Sequence, residues 1–415
     1  MRSLPTIQAA CLLACCTLTA GDFSLLRQLG DNCRFFELRR ALQQPGWDDS
    51  ETLFYRAQIA CRFGQEADGV ELLRRFLRTD PDSRSAREAS EQMAAALLRI
   101  GRYREAVEAF DAAFRLTPPK DRDENSRNLI ASLIDVPPMS LETGQEPPVK
   151  ARRNLGGGWN VPVDFDGSPG ELDFDTGANF SLISESEAAR LGLTIRDSTA
   201  YVNGGTGGRT HTRLAVAPNL RIGPAHLHNV VFLVVPDKAL YVPPLHASMP
   251  GFLGIPAIRA LRHAGIASDG TMRLGPLTAG SQQTPNLFFD AQQLIVELSH
   301  QRRPLQLFLD TGANSSGLFP SVRQTLTPQE AAAMTTTQQK TVSVGGKIVK
   351  QKIGQLPLFQ LLVLDTPLDL RNASFLPGRA DADPRYRDGI LGIDALFGGF
   401  DLDFQNMRFT VNSPD

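Results

Sequence analysis

The sequence predicts a multidomain chain: an all-α helical repeat array over residues 21–136, then a mainly β, two-lobed part over 155–415. Three observations predict it. Residues 21–136 are rich in Ala, Leu, Arg and Glu, with Pro and Gly falling between periodic runs. From Gly156 onward short alternating runs take over, such as Asn160-Val-Pro-Val-Asp-Phe165 and Asn229-Val-Val-Phe-Leu-Val-Val235. Turn signals divide them at Asp166-Gly167, Gly204-Gly205, Gly207-Gly208 and Gly345-Gly346. Finally, residues 155–415 contain an internal duplication. Leu172-Asp-Phe-Asp175-Thr-Gly-Ala-Asn179 is repeated as Leu307-Phe-Leu-Asp310-Thr-Gly-Ala-Asn314.

The 415 residues are 42% hydrophobic and 21% charged, which supports a folded core and excludes wholesale disorder. The formal net charge of −2 gives no basic footprint for nucleic acid. At the N-terminus, Arg2 precedes an apolar stretch from Ile7 to Leu18 that ends in Thr19-Ala20-Gly21. This reads as a secretory signal over 1–20, the alternative being a buried N-terminal helix. Leu12-Leu13-Ala14-Cys15 also resembles a bacterial lipoprotein signal, with Cys15 as the acylated residue, although Leu13 fits that pattern poorly. The chain is therefore expected to be exported, periplasmic or extracellular, touching a membrane only if lipid-anchored at Cys15. Cys33 and Cys61 are left after the signal. They are a disulfide candidate that would staple a helix pair, with two separately buried thiols as the alternative.

In the helical part, Met93, Leu97, Leu98 and Ile100 keep one face apolar before a turn at Gly101-Arg102-Tyr103. Ala106, Val107, Phe110, Phe114 and Leu116 form the next face, which Pro118 ends. This pair resembles a tetratricopeptide repeat, and the stretch Thr52–Pro81, with Ala57, Ala60, Gly64, Ala67, Leu73 and Phe76, has a similar plan. The resemblance implies stacked helix pairs with a groove for a peptide or protein partner; a plain spacer is the alternative. Pro137-Pro138 stops the helices. Residues 137–154, ending in Lys150-Ala-Arg-Arg153, read as a linker. The lobes are expected over 155–282 and 283–415.

The duplication carries the chemistry. Gly251-Phe-Leu-Gly-Ile-Pro-Ala257 follows Asp175 by 76 residues, and Gly389-Ile-Leu-Gly-Ile-Asp-Ala395 follows Asp310 by 79. A lone Asp-Thr-Gly is a polar turn after a strand; two copies, each followed by an apolar-apolar-Gly motif, are not coincidence. A strand running into Asp-Thr-Gly places a carboxylate on a tight loop, and a pseudo-twofold axis brings two such carboxylates face to face. Like charges that close cannot both ionise, so the pair holds one proton. One member then serves as general base on water while the other polarises a carbonyl.

These motifs resemble the aspartic peptidases, pepsin-like and retropepsin-like, over both halves of 155–415. The resemblance implies that Asp175 and Asp310 are the catalytic pair. It implies that Thr176 and Thr311 interlock the loops, that Gly177 and Gly312 let them approach substrate, and that Phe252-Leu253-Gly254 and Ile390-Leu391-Gly392 buttress them. Flap candidates fall at Gly204 and Gly205 within Tyr201–Arg209, and at Gly345 and Gly346 within Val342–Val349; ordinary turns are the alternative. The residue after each Asp-Thr-Gly is Ala178 or Ala313, where pepsin-like enzymes carry a hydroxyl, so a less acidic optimum is expected.

There is no His-Glu-x-x-His, no Gly-x-Ser-x-Gly elbow and no phosphate-cradling Gly-x-x-x-x-Gly-Lys motif. The expectation is an endopeptidase acting on protein or peptide without metal or cofactor, for which a monomer is sufficient. Two other possibilities stand beside it: a binding or scaffold protein on a degenerate peptidase fold, and a helical prosegment released near Arg153.

Overall fold

In the computed structural model, residues 23–48, 52–81, 83–203, 209–242, 247–277, 283–342, 348–377 and 388–412 are described. The expected signal segment, Cys15 and the four flap glycines at 204, 205, 345 and 346 lie outside them.

The periodic runs form helices α1 (Phe23–Asp31), α2 (Phe35–Leu42), α3 (Leu53–Arg62), α4 (Glu66–Thr79), α5 (Ala86–Arg99), α6 (Tyr103–Arg115) and α7 (Glu124–Ala131). α3 packs on α4 and α5 on α6, and α4 joins the two pairs. Each pair turns on a glycine in the left-handed region, Gly64 at φ 81° and Gly101 at φ 73°, where a side chain would be strained. Ala57, Val70, Leu73, Ala89, Leu97 and Ala106 interdigitate between the pairs.

The disulfide expected between Cys33 and Cys61 is not formed. Cys33 sits in the turn between α1 and α2 and belongs to an apolar cluster around Phe35 and Phe288. Cys61 belongs to the other helical cluster and faces α4, where a Cβ on Gly69 would meet its backbone nitrogen at 2.7 Å. Burial pushes the Cys61 thiol up to about 12, which leaves it protonated and unreactive. Spacing along the chain reports neither that Cys33 falls in a turn rather than on a helix nor which core each cysteine enters.

The stretch 137–154, expected as a linker, carries two short strands. Ser140–Thr143 is a strand that pairs antiparallel with Ala225–Val235, and Arg152–Arg153 pairs with Trp159–Phe165. Between them, Lys150 bridges to Thr271. Ala151 is buried, and the Arg153 guanidinium lies 3.7 Å from the Trp159 ring and 4.6 Å from that of Phe397. An aperiodic, Pro-containing stretch is already extended, and sheet edges supply the pairing that its own sequence does not announce.

The two lobes repeat one arrangement. In the first, Gly251–Leu253 inserts between the strands on either side of Asp175. It runs parallel to Ser168–Phe174 and antiparallel to Ser181–Ser184. In the second, Gly389–Leu391 inserts likewise between Arg303–Leu309 and Gly317–Leu318. A shared four-stranded sheet joins the lobes. His263–Ala267 and Met272–Leu274 come from the first, and Gly399–Asp403 and Arg408–Val411 from the second. Above it the cores merge, with the Phe174 and Phe400 rings 6.1 Å apart.

The helices are not a separate bead. Strand Ala225–Val235 buries Val230, Phe232 and Val234 in the lobe core, and Val231, Leu233 and Val235 against the helices. That explains its unbroken apolar run, since both faces are covered. α1 and α2 bury Leu26, Phe35, Phe36 and Leu38 against Phe288, Ile295 and Phe308 of the second lobe. Polar ties flank these contacts: Arg62 to Asp290 at 2.8 Å and Arg40 to Glu297 at 3.2 Å.

Candidate active site

Each strand before an Asp-Thr-Gly ends in the core, and the chain must turn back at once. It does so on its own carboxylate. Asp175 Oδ1 accepts the N–H groups of Gly177 (2.8 Å) and Ala178 (3.2 Å), and Asp310 Oδ1 accepts those of Gly312 and Ala313 (both 3.0 Å). The turn therefore aims the second oxygen of each carboxyl away from its own loop.

The two loops lock together reciprocally. The Thr176 N–H donates to Thr311 Oγ1 and the Thr311 N–H to Thr176 Oγ1, both at 3.0 Å. Thr176 Oγ1 donates to the Leu309 carbonyl at 2.8 Å, and Thr311 Oγ1 to the Phe174 carbonyl at 2.7 Å. Both threonines are fully buried, so every donor and acceptor here has its partner inside the protein.

The glycines set the carboxyl separation. A Cβ on Gly312 would lie 2.5 Å from the Asp175 Cγ, and one on Gly177 would overlap the Asp310 carboxyl in the same way. Each carboxyl thus rests against the backbone of the opposite loop, and any side chain there would drive the two apart.

Behind the loops, the Asp175 N–H donates to the Leu253 carbonyl (3.1 Å) and the Asp310 N–H to the Leu391 carbonyl (3.0 Å). The Gly254 N–H donates to Ser181 Oγ and the Gly392 N–H to Ser316 Oγ, both at 3.0 Å. Neither serine was singled out in the sequence, although each stands six residues after its aspartate, a signal the duplication contained. Helix α8 (Glu185–Arg190) follows the first loop, and α9 (Ile255–Ala260) starts where the first buttress strand ends.

Electrostatics separate the two carboxyls. Burial, then the charges of Asp310 and Asp173, hold Asp175 well above the ordinary carboxylate range, with the Gly177 N–H opposing. Burial raises Asp310 as well, but the N–H groups of Ala313 and Gly312 and the bond from Asp175 oppose it. Both carboxyls are held above the ordinary range, so the pair keeps one proton between them. Such a pair offers an acid beside a base, the requirement for adding water across a carbonyl.

A third carboxyl stands close by. Asp173 is buried, and its Oδ1 accepts from Asn154 Nδ2 at 3.0 Å. Burial pushes it up to about 7, and the Asp310 charge adds to that rise. Asn154 Oδ1 in turn accepts the N–H groups of Gly156 and Gly158, each at 2.9 Å, and a Cβ on Gly156 would lie 3.2 Å from the Asn314 amide. The 154–158 loop thus spans from Asp173 of the first lobe to the second lobe's active loop. Sequence reasoning passed over Asp173 because it reads as one polar residue in an alternating strand.

The structure therefore brings Asp175, Asp310, Thr176, Thr311, Gly177 and Gly312 together, and leaves Cys33 and Cys61 in different apolar clusters. Residues 161–257, which include the Asp175 loop and the first buttress strand, match a family model described as aspartyl protease. Among solved structures, a retropepsin-like aspartic protease from Rickettsia conorii is similar at 17% identity and a TM-score of 0.25, covering 33% of this chain and 95% of that one. No curated protein matches the sequence. The family match supports a resemblance to aspartic proteases.

Proposed function

We propose that the chain is an aspartic endopeptidase in which Asp175 and Asp310 form the catalytic pair. One observation carries this: each carboxyl packs against the glycine of the opposite loop while the two threonines exchange two buried hydrogen bonds and each donates a third to the strand before the opposite loop. Nothing about a folded core calls for two aspartates to be held so close.

The ionised member of the pair takes a proton from a water lying between them as the water oxygen bonds to the peptide carbonyl carbon. The protonated member gives its proton to the carbonyl oxygen, forming a gem-diol. The C–N bond then breaks as the carboxyl that took the water's proton gives it to the amide nitrogen and a gem-diol hydroxyl returns a proton to the other carboxylate, leaving acid, amine and the pair with its one proton as at the start. Both carboxyls come from one chain, so a monomer is sufficient. The substrate class is protein or peptide, and the N-terminal segment points to an exported enzyme.

The test is cleavage of an unfolded protein by the full chain across acid to neutral pH, beside Asp310→Asn. Loss of turnover by about a thousandfold or more in a folded variant supports the pair. Unchanged activity overturns it. A native chain that cleaves nothing at any pH makes the fold a binding platform instead.

A further inference from the structure

The hairpin formed by Tyr201–Asn203 and Arg209–His211 stands outside the main sheet of the first lobe. Among the described residues its two strands pair only with each other, Tyr201 opposite His211, Val202 opposite Thr210 and Asn203 opposite Arg209. A two-stranded ribbon has little stability alone, so something else must set its place.

Two kinds of contact do so. Ala200 and Val202 pack into the apolar cluster of the helical part. Ala178 and Phe180, which follow Asp175, and Phe252 of its buttress strand pack onto the same cluster. The second contact is directional. Asn125, in the first turn of α7, accepts the Tyr201 N–H on Oδ1 at 2.9 Å and donates from Nδ2 to the Tyr201 carbonyl at 3.0 Å. The side-chain amide thereby occupies both backbone groups of Tyr201, as a neighbouring strand would. The Arg209 guanidinium covers the Tyr201 ring at 4.0 Å, which fixes the hairpin's two strands at that point.

We infer that Asn125 is a positioning residue: it ties the hairpin to the helical part, so that the helices hold hairpin and Asp175 loop in one fixed relation and thereby set how the substrate peptide is bound. The inference rests on the peptidase reading above. It gives the helical part a role that neither a detachable prosegment nor a spacer has, because α7 is bonded into the substrate-binding lobe. Asn125 touches neither Asp175 nor Asp310, so the chemical step is left to them.

The test uses the full chain with Asn125→Ala and Asn125→Asp. The aspartate keeps an acceptor for the Tyr201 N–H and loses the donor to its carbonyl. Steady-state cleavage of unfolded casein is measured with amide hydrogen exchange of the substrate-free protein. Asn125→Ala is expected to raise KM about tenfold with kcat within about threefold, and to speed exchange at Tyr201 about tenfold, while amides of α3–α6 exchange as before. Asn125→Asp should fall between native and alanine in Tyr201 exchange. Unchanged KM together with unchanged exchange overturns the inference. So does a fall in kcat alone, or faster exchange spread over all helices, which would mark general loss of fold. Exchange is read without turnover. If the native chain cleaves nothing, the peptidase reading falls, and faster Tyr201 exchange in Asn125→Ala still upholds the tie.

Discussion

Asp173 shows how far one side chain changes the pair beside it. Its charged form disfavours charge on Asp175, and the Asp310 charge in turn disfavours charge on Asp173. Replacing it with asparagine keeps an acceptor for Asn154 and removes the negative charge. Above about pH 7, where Asp173 is charged, Asp175 then ionises more easily, so the alkaline limb of the pH–activity profile of Asp173→Asn should move toward acid relative to native; a shift the other way contradicts the coupling. Stability follows the same proton. Asp173 is pushed up from 3.8 to about 7 on folding, so its protonated form contributes fully below about pH 4, and that contribution is lost as pH rises through 7. Urea midpoints of Asp173→Asn should therefore be flatter than native between pH 4 and 7. Ala178 and Ala313 act in the same direction, since each offers its aspartate a backbone N–H and no hydroxyl. The native optimum should accordingly be less acidic than that of pepsin-like enzymes.

At the scale of the element, the two active loops stand or fall as a pair. Gly312→Ala would put a methyl group against the Asp175 carboxyl, so turnover should drop below detection in a protein that still folds. Thr311→Val would strand the Thr176 N–H and the Phe174 carbonyl in a dry interior. The expected cost is about 2–5 kcal/mol, read as a lower urea midpoint, and Thr311→Ser should recover most of it. These loops were legible because Asp-Thr-Gly-Ala-Asn recurs with its buttress motif at nearly equal spacing. Ser181 and Ser316 were equally periodic in the duplication but carried no distinctive chemistry. The strand at Ser140–Thr143 had no local signature, because its pairing belongs to the edge it joins.

Across the whole molecule, the helical part and both lobes share buried surface. Glu66 of α4 lies in an apolar setting with Arg99 of α5 at 3.1 Å and Arg259 of α9 at 2.8 Å. Arg99 also donates to the Cys61 carbonyl at 2.6 Å and to the Ala291 carbonyl. One carboxylate thus anchors two cations at the junction of helices and lobes. Glu66→Ala leaves both cations unpaired and should destabilise the full chain by about 3–5 kcal/mol, measured by denaturant unfolding. If instead the midpoint stays put, the junction is not holding the parts together. Cutting the chain near Arg153 would expose Leu182, Val231 and Leu233 on one lobe and Phe288 and Ile295 on the other. A lobe pair so stripped should aggregate rather than gain activity.

By itself the sequence determined the helical and β parts, the duplication, and the two aspartates with their threonines and glycines. All of these rest on local period or on an identical repeat, which a linear reading can see. Only the tertiary structure decided that Cys33 and Cys61 point into different cores, that the linker is sheet, that Asp173 sits beside the pair, and that Asn125 reaches Tyr201 across 76 residues. Each of these depends on which faces meet once the chain has folded. Facing is a property of packing between distant segments, and no pattern within either segment encodes it.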